Sequence, residues 1–392
     1  MGQRRGGGVV LLVLGGLLAS VALGWFLARP HDPDVSAAAE PVVRDGRLVD
    51  ARTGEPWIPQ GVNWSGFEYA CAQGWGYSGL DPLGEEAEAE QATVLASWGI
   101  DTVRLPLNQD CWLGTRGAPV SDDFVERTPL GYRHAVDRFV EALNDRGIVV
   151  VLDLHSRKRI GSAEFGSTAM PDSESLAFWR SVASQYAAHP SVLFDAFNAP
   201  QSRDDSRGDP VFELDWQCWA RGGCEVPVED DRTPVKAGRA TFEALGMGDL
   251  VEAIRRAGAT QPVLLSGLER ADDLGDWLTW APEDDQLVAA FHAYDDADCD
   301  ADCWEEVIAP LADQVPVVTT ELGATDPADG WVEDYLDFAG EHGIGSLLWV
   351  WVERPGDPMA LISDLDGTPT AWGELARAWW TDRPAGRPED VG

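Results

Sequence analysis

Eight short apolar runs alternate with amphipathic segments along most of this chain, and the alternation limits the possible folds more than any other feature. The runs are rich in β-branched residues and mostly apolar on both faces, which is typical of parallel strands covered by helices. They span residues 57–64, 102–107, 148–155, 192–198, 262–268, 287–294, 316–322 and 346–352. Eight consecutive strand–helix units predict an α/β fold, a closed (β/α)8 TIM barrel.

The segments between these runs carry apolar residues at helical spacing. The predicted helices span 85–98, 130–146, 173–188, 236–257, 303–311, 331–341 and 371–380, with a weaker one near 272–280. Gly99, Gly147, Gly258 and Gly343 each follow a predicted helix, where glycine takes the left-handed conformation that ends it. An open doubly wound sheet is the alternative. Such a sheet normally carries a glycine-rich fingerprint after its first strand, and this sequence has none there.

The N-terminus indicates export from the cytoplasm. Arg4 and Arg5 precede an uncharged run at residues 9–28, and Arg29 ends it, which is the pattern of a signal sequence. The run, at about 20 residues, is also long enough to span a bilayer. Residues 1–28 are therefore either a signal peptide or a membrane anchor that tethers the chain through 9–28. We predict a linker at 29–41, an extracellular barrel at 42–380 and a polar tail at 381–392.

The charge of the chain is strongly negative. The sequence has 67 acidic and 29 basic residues, for a net charge of -38. Such a surface repels phosphates, which argues against nucleic acid and anionic membrane surfaces as partners. We expect a soluble monomer that acts on a neutral ligand.

The six cysteines are even in number, which in an exported chain favours disulfides. Two pairs would close short loops, and the remaining two cysteines would then pair with each other. Metal binding is the competing interpretation, but the sequence contains no Cys-x-x-Cys motif or histidine cluster to support it. We expect no metal and no cofactor. The predicted pairs are Cys71 with Cys111, Cys218 with Cys224, and Cys299 with Cys303.

Polar side chains gather at the C-terminal ends of the predicted strands, where barrel enzymes carry their chemistry. Polar and aromatic side chains at these ends would form a cleft that suits a sugar, because sugar hydroxyls need hydrogen-bond partners and the apolar face of the sugar ring needs an aromatic platform. The residues at these positions are Arg104, His155, Asn198, His292, Tyr294, Glu321 and Trp349.

The 18 tryptophans divide into two groups by position. Most of them, including Trp98, Trp179, Trp379 and Trp380, lie on predicted helices, where we expect them to pack. Trp349 and Trp351 are two residues apart on one predicted strand and are expected to share a face. The candidates for rings in the cleft are Trp64, Trp75, Trp112, Trp349 and Trp351.

These strand-end motifs resemble glycoside hydrolase family 5, the cellulase-type barrels of a large clan of retaining glycosidases. The resemblance covers roughly residues 43–380, and Glu68-Tyr-Ala-Cys and Asn108-Gln-Asp-Cys-Trp look closest to an actinobacterial group. Six motifs stand in the family's order. They are Gly61-Val-Asn-Trp-Ser-Gly, Val103-Arg-Leu-Pro-Leu-Asn, Leu152-Asp-Leu-His, Phe197-Asn-Ala-Pro, Phe291-His-Ala-Tyr and Val317-Val-Thr-Thr-Glu-Leu-Gly.

The resemblance implies a role for each matched position. Glu321 matches the nucleophile that attacks the anomeric carbon, and His292 and Tyr294 match the pair that orients it. The implied substrate is a β-linked polysaccharide or oligosaccharide. Positions that contact the sugar or support the nucleophile are matched by Arg104, His155, Asn198 and Trp349.

One departure from the family concerns the chemistry itself. In the family the fourth strand ends Asn-Glu-Pro, and that glutamate is the general acid/base; here the stretch reads Asn198-Ala199-Pro200. Retaining hydrolysis uses two carboxyl groups about 5–5.5 Å apart, and loss of a positioned acid/base typically costs about 10²–10⁴ in rate.

Several explanations of Ala199 stay open at this point. The chain is either a weakened retaining hydrolase or a catalytically inactive carbohydrate-binding pseudoenzyme, and Ala199 is either native or introduced to trap a substrate. A carboxylate from another loop is a further option. We expect none of the loop carboxylates singly to replace the missing glutamate. The candidates are Glu68, Asp110, Asp204, Asp205, Glu269, Asp295 and Glu353.

Overall fold

A computed structural model describes residues 37–73, 85–118, 129–158, 165–231, 234–235, 240–326 and 330–382. All eight predicted strands are present, most with ends within three residues of the prediction. The barrel strands are β1 Gln60–Trp64, β2 Thr102–Asn108, β3 Val149–Lys158, β4 Val192–Asp195, β5 Val263–Ser266, β6 Leu287–Tyr294, β7 Val317–Gly323 and β8 Gly345–Trp351.

The strands pair in parallel in the order β2-β1-β8-β7-β6-β5-β4-β3, and β2 also pairs with β3. This last pairing closes the sheet on itself. The predicted (β/α)8 barrel is therefore confirmed, and the open doubly wound alternative is wrong. All residues of β2 and of β7 are buried, as expected for strands covered on both faces.

Helices cover the outside of the barrel, and most begin and end close to the predicted residues. The four glycines predicted to end helices have positive φ angles, between 66° at Gly343 and 94° at Gly258. A π-helical turn, Trp304–Ile308, joins Ala301–Cys303 to Ala309–Ala312. The other helices are Phe67–Gln73, Glu85–Ser97, Gln109–Leu113, Pro129–Asn144, Ser173–Tyr186, Trp216–Arg221, Met247–Arg256, Leu268–Ala271, Trp277–Trp280, Trp331–Glu341 and Ala371–Asp382.

The helix predicted over 236–257 is wrong in its first half. The structure has a helix only at Met247–Arg256, and Thr241–Glu243 is a strand that pairs with Glu225–Pro227. The Asp249 carboxylate accepts the N–H of Gly246 at 2.9 Å, which satisfies a backbone donor at the point where the helix begins. Residues 236–239 lie outside the described part of the chain.

Short antiparallel hairpins lie before β1 and in the loops after β3 and β4. Pro41–Arg44 pairs with Arg47–Asp50 ahead of β1, and Arg203–Asp204 pairs with Pro210–Phe212 in the loop after β4. The end of β3 pairs with Phe165–Gly166. The loops after β3 and β4 thus carry regular structure next to the open end of the barrel.

The core has two layers. Alternate residues of the strands, such as Val151, Leu264 and Val318, fill the barrel interior, and Leu48 of the N-terminal hairpin packs against this interior cluster. A larger cluster joins the outer faces of the strands to the helices, with Phe139 and Trp179 among its members. Ala38, which falls in the predicted linker 29–41, is buried in the interior cluster.

The three predicted disulfides are present as Cys71–Cys111, Cys218–Cys224 and Cys299–Cys303. The predicted signal or anchor segment at 1–28 and nearly all of the predicted tail at 381–392 lie outside the described residues. Among the helices that are described, none is long and apolar enough to cross a membrane.

The disulfides should differ in their contribution to stability because they close loops of different length. Cys71–Cys111 spans 40 residues and Cys299–Cys303 spans 4. Loop-closure entropy gives about 4 kcal/mol for the first and about 2 kcal/mol for the second. Replacing both cysteines of each pair by alanine should show this order in urea denaturation. A larger loss for the Cys299–Cys303 pair would contradict it.

Candidate active site

Arg104 lies at the centre of the site, fully buried on β2. Its Nη1 donates to Asn63 Oδ1 and to Glu321 Oε1, both at 2.9 Å, and its Nε donates to Asp195 Oδ2 at 2.9 Å. A guanidinium has five N–H donors in a rigid planar fork. Arg104 therefore connects side chains from three other strands, β1, β4 and β7, at the barrel mouth.

The remaining nitrogen of Arg104 completes this network. Nη2 donates to Asn198 Oδ1 at 2.7 Å and lies 2.9 Å from Asp153 Oδ2. Because the oxygen of Asn198 accepts from Arg104, its amide N–H groups are left to donate elsewhere. The sequence analysis did not select Asn63, Asp153 or Asp195 as site residues. A charged residue inside an otherwise apolar strand was the signal that could have identified the two aspartates.

Glu321 on β7 is held from both carboxylate oxygens. Oε1 accepts from Arg104, and Oε2 accepts from the Tyr294 hydroxyl at 2.6 Å. His292 Nδ1 lies 3.7 Å from Oε2, too far for a hydrogen bond but close enough for an electrostatic interaction. The carboxylate is 8% exposed, so it is fixed in position and still reaches the surface of the cleft.

The charges around Glu321 determine its protonation state. Burial by itself raises the pKa of Glu321, but the charges of His292, Arg104 and His155 and the hydrogen bond from Tyr294 outweigh burial and lower the pKa to about 2. Burial lowers the pKa of His292 to about 4, so the ring is neutral near pH 7. Glu321 is therefore a carboxylate at any ordinary pH.

The pKa of Asp195 shifts in the opposite direction from that of Glu321. Burial raises its pKa to about 7, and the negative charges of Asp153 and Glu321 add to this effect while Arg104 opposes it. A single guanidinium cannot fully compensate three carboxylates in a site of low dielectric constant. One of them therefore binds a proton more readily than it would in water.

His155 and Trp349 form one wall of the cleft. Their ring centroids are 5.8 Å apart and their planes are inclined by 10°, so the rings stack. His155 Nδ1 lies 2.7 Å from Asp153 Oδ2, which fixes the imidazole plane. Both rings are partly exposed, which leaves an aromatic surface beside Glu321.

Three of the other tryptophans predicted to line the cleft do not do so. Trp64, Trp112 and Trp351 are at most 1% exposed and belong to the outer core. Trp351 and Trp349 do not share a face, because the pairing of β8 with β1 shifts register between Leu348 and Trp351. Trp351 instead packs against Trp98, with ring centroids 4.7 Å apart. Trp75 lies outside the described residues.

Ala199 follows β4 in the left-handed backbone conformation, with φ of 52°. Such a conformation is unfavourable for a residue with a Cβ and occurs preferentially at functional sites. A cavity of about 340 Å³ opens beside this residue. Its lining includes His155, Asn198, Ala199, Gln201, Asp231 and Arg270.

None of the loop carboxylates that the sequence offered as replacements is among the described residues that line this cavity. Glu68 is 2% exposed and accepts hydrogen bonds from Ser65 Oγ and the N–H of Gly66. Burial raises the pKa of Glu68. Asp204 is exposed on its hairpin, and Asp205 pairs with Arg207 at 2.9 Å. The carboxylate of the lining is Asp231, which the sequence analysis missed.

The described residues contain no group of three or more His, Cys, Asp or Glu side chains arranged to hold a metal ion. The seven residues predicted from the sequence do come together at one mouth of the barrel. Their chemistry there is that of an ionised carboxylate surrounded by fixed hydrogen-bond donors and an aromatic surface.

Comparison with known proteins identifies the family. The profile described as cellulase (glycosyl hydrolase family 5) matches residues 55–354, which is more than half of the chain. The chain belongs to glycosyl hydrolase family 5. The matched range of this family 5 barrel includes every site residue predicted from the sequence.

Individual relatives are more distant. An endoglucanase from Paenibacillus polymyxa is 24% identical over 215 residues, which are 52% of this chain and 51% of that protein. The chain thus matches about half the length of this curated relative. A β-glucanase from Saccharophagus degradans has a similar structure, with a TM-score of 0.65 and 21% identity over 92% of this chain and 98% of that one. The same β-glucanase in complex with cellotetraose matches at a TM-score of 0.65 and 20% identity, over 91% of this chain and 98% of that one.

Removal of the central cation should destabilise this family 5 barrel. Arg104→Met would leave the carboxylates of Asp153, Asp195 and Glu321 buried without their partner, and breaking a buried pair in this way costs about 3–5 kcal/mol. Urea denaturation near pH 7 would measure the loss. Arg207→Met is the matched control, because the Arg207 side chain is 75% exposed and its ion pairs lie in water. Equal stability of the two variants would contradict a central role for Arg104.

Proposed function

We propose that this family 5 chain is a retaining glycoside hydrolase that cleaves β-linked glucans, with Glu321 as the nucleophile. The observation that supports this most directly is the state of Glu321. It is ionised, aligned by Arg104 and Tyr294, and partly open to the cleft. A carboxylate in such surroundings is suited to attack an anomeric carbon.

The neighbouring side chains fit a sugar bound over Glu321. The free amide N–H groups of Asn198 are available to donate to a hydroxyl next to the anomeric carbon. Trp349 offers a ring face for the apolar side of the sugar. The endoglucanase and the β-glucanase to which the chain is similar support a β-glucan as the substrate class.

We propose the following first step. An oxygen of Glu321 forms a bond to the anomeric carbon while the bond from that carbon to the leaving-group oxygen breaks, which gives a covalent glycosyl-enzyme. The leaving oxygen needs a proton unless it is already a good leaving group. Ala199 has no proton to give, so we expect the natural reaction to be slow compared with an intact pair of carboxyl groups.

Export is part of the proposal. Three disulfides are typical of proteins that fold outside the cytoplasm. We propose that residues 1–28 direct export and that the barrel works as a monomer, either secreted or tethered to the outer face of the membrane.

Trapping the covalent intermediate tests the nucleophile. A 2-deoxy-2-fluoro-β-cellobioside with a dinitrophenyl leaving group should label the chain once, and peptide mapping should locate the label on Glu321. Glu321→Gln should lose both labelling and turnover of dinitrophenyl β-cellobioside. Glu353→Gln, at an exposed carboxylate beyond β8, should keep both. A label on another residue, or none, would refute the assignment.

Restoring the missing carboxyl group tests the rest of the site. Ala199→Glu should raise kcat/KM for cellotetraose by at least about tenfold, part of the roughly 10²–10⁴ that a positioned acid/base contributes. The same change should leave kcat/KM for dinitrophenyl β-cellobioside unaltered, because that leaving group needs no proton. Ala199→Gln has the same size without the proton and should give no gain.

A carbohydrate-binding pseudoenzyme is the second candidate, and Ala199 itself favours it. This alternative expects cellotetraose to bind in titration calorimetry while no substrate is turned over and the fluorosugar leaves Glu321 unlabelled. Labelling of Glu321 together with hydrolysis of cellotetraose would exclude it.

A further inference from the structure

Asp231 brings a carboxylate to the cavity that opens beside Ala199. His155 and Asn198 line the same cavity, so it continues into the cleft that contains Glu321. Among the described lining residues, Asp231 alone has a carboxyl group. The side chain is exposed, and its Oδ2 makes no hydrogen bond to any residue that the structure describes.

Hydrogen bonds to Ser167 hold Asp231 in its position. Its backbone N–H donates to Ser167 O at 2.8 Å, and its Oδ1 accepts from the N–H of Ser167 at 2.9 Å. The Ser167 hydroxyl in turn donates to the backbone oxygen of His155. This chain of hydrogen bonds attaches Asp231 to the end of β3, beside the His155 ring that stacks on Trp349.

Gly166 makes this arrangement sterically possible. A Cβ at this position would lie 2.8 Å from Asp230 Cβ and 3.1 Å from Asp231 Oδ1, closer than side chains normally approach. The segment that carries Asp231 can therefore lie directly on the β3 hairpin only because residue 166 is glycine. The β3 hairpin, through Gly166 and Ser167, thus holds the carboxylate at the cavity beside Ala199.

We propose that Asp231 is the general acid/base of this barrel, acting from across the cavity in place of the glutamate that the family has at position 199. The proposal rests on the function proposed above, with Glu321 as nucleophile. Asp231 would supply the second carboxyl group of the retaining mechanism.

The proton transfers balance over the two steps. In the first, the carboxylic acid of Asp231 gives its proton to the glycosidic oxygen as the bond from the anomeric carbon to that oxygen breaks and the bond to Glu321 forms. In the second, the Asp231 carboxylate takes a proton from a water molecule whose oxygen attacks the anomeric carbon. The bond to Glu321 then breaks, and both carboxyl groups return to their starting states.

Arg270 contributes the positive charge of the cavity. Its backbone N–H donates to Pro200 O at 2.8 Å and its Nε donates to Gln201 Oε1 at 3.2 Å, which leaves both Nη groups without a hydrogen bond to the described residues. The guanidinium lines the same cavity as Asp231 and has donors for a ligand bound there.

A pair of aspartate variants tests the proposal. Asp231→Asn keeps the shape and the oxygen that accepts the Ser167 N–H but removes the ionisable carboxyl group, and Asp204→Asn changes another exposed aspartate between β4 and β5. Asp231→Asn should lower kcat/KM for cellotetraose by at least about tenfold, part of the roughly 10²–10⁴ in rate that a positioned acid/base contributes. For dinitrophenyl β-cellobioside, kcat/KM should stay unchanged. Asp204→Asn should behave as the wild type with both substrates.

A second-site variant separates a chemical role from a structural one. Ala199→Glu in the Asp231→Asn background should restore hydrolysis of cellotetraose, since it supplies a carboxyl group at the family's position. Equal cellotetraose rates for Asp231→Asn and Asp204→Asn would overturn the role of Asp231. So would a wild-type chain that is labelled at Glu321 and never hydrolyses cellotetraose, although Glu321 would keep its assignment. Absence of labelling at Glu321 would instead reject the function on which this proposal rests.

Discussion

The guanidinium of Arg104 is the interaction on which the rest of the site depends. Its donors contact Asn63 on β1, Asp195 at the end of β4, Asn198 just beyond it, and Glu321 on β7, while Asp153 on β3 lies within ion-pair distance. No other described side chain joins so many strands at the mouth of the barrel. Because each contact fixes one strand end relative to Arg104, the geometry of the site and the closure of the barrel support each other.

The charge balance around this cation explains why neighbouring carboxylates differ. Glu321 adds the Tyr294 hydroxyl to its contact with Arg104, and its pKa falls to about 2. Asp195 is completely buried, and among the described residues only the Arg104 side chain donates a hydrogen bond to its carboxylate. Its pKa rises to about 7. Burial opposes the charge of both carboxylates, but the charges of His292, Arg104 and His155 outweigh it at Glu321, whereas at Asp195 the carboxylates of Asp153 and Glu321 add to it.

Ala199 follows β4 and borders the cavity beside the cleft. The backbone at this position keeps a left-handed conformation that alanine does not favour, and Asn198 still points its oxygen at Arg104. The cavity beside it is bordered by an acidic and a basic side chain from two other loops, Asp231 and Arg270. The described acidic and basic groups beside Ala199 therefore come from loops and not from the end of β4.

The sequence by itself was enough to predict the barrel, the disulfides and the main cleft residues. Eight consecutive strand–helix units favour a closed barrel over an open sheet, and closure of the barrel brings strand ends such as Glu321 and Asn198 together. The helix predicted at 236–257 was too long because local periodicity does not reveal that Thr241–Glu243 pairs with Glu225–Pro227.

Only the tertiary structure decided which tryptophans and which carboxylate lie beside the cleft. The register shift in β8 separates Trp349 from Trp351, and the packing of Trp64 and Trp112 removes both rings from the cleft. Asp231 lies 32 residues beyond Ala199 in the sequence, and only the contact of its loop with Ser167 brings the two to one cavity. Contacts between loops depend on the shape of both partners, and a single sequence carries no local signal for that shape.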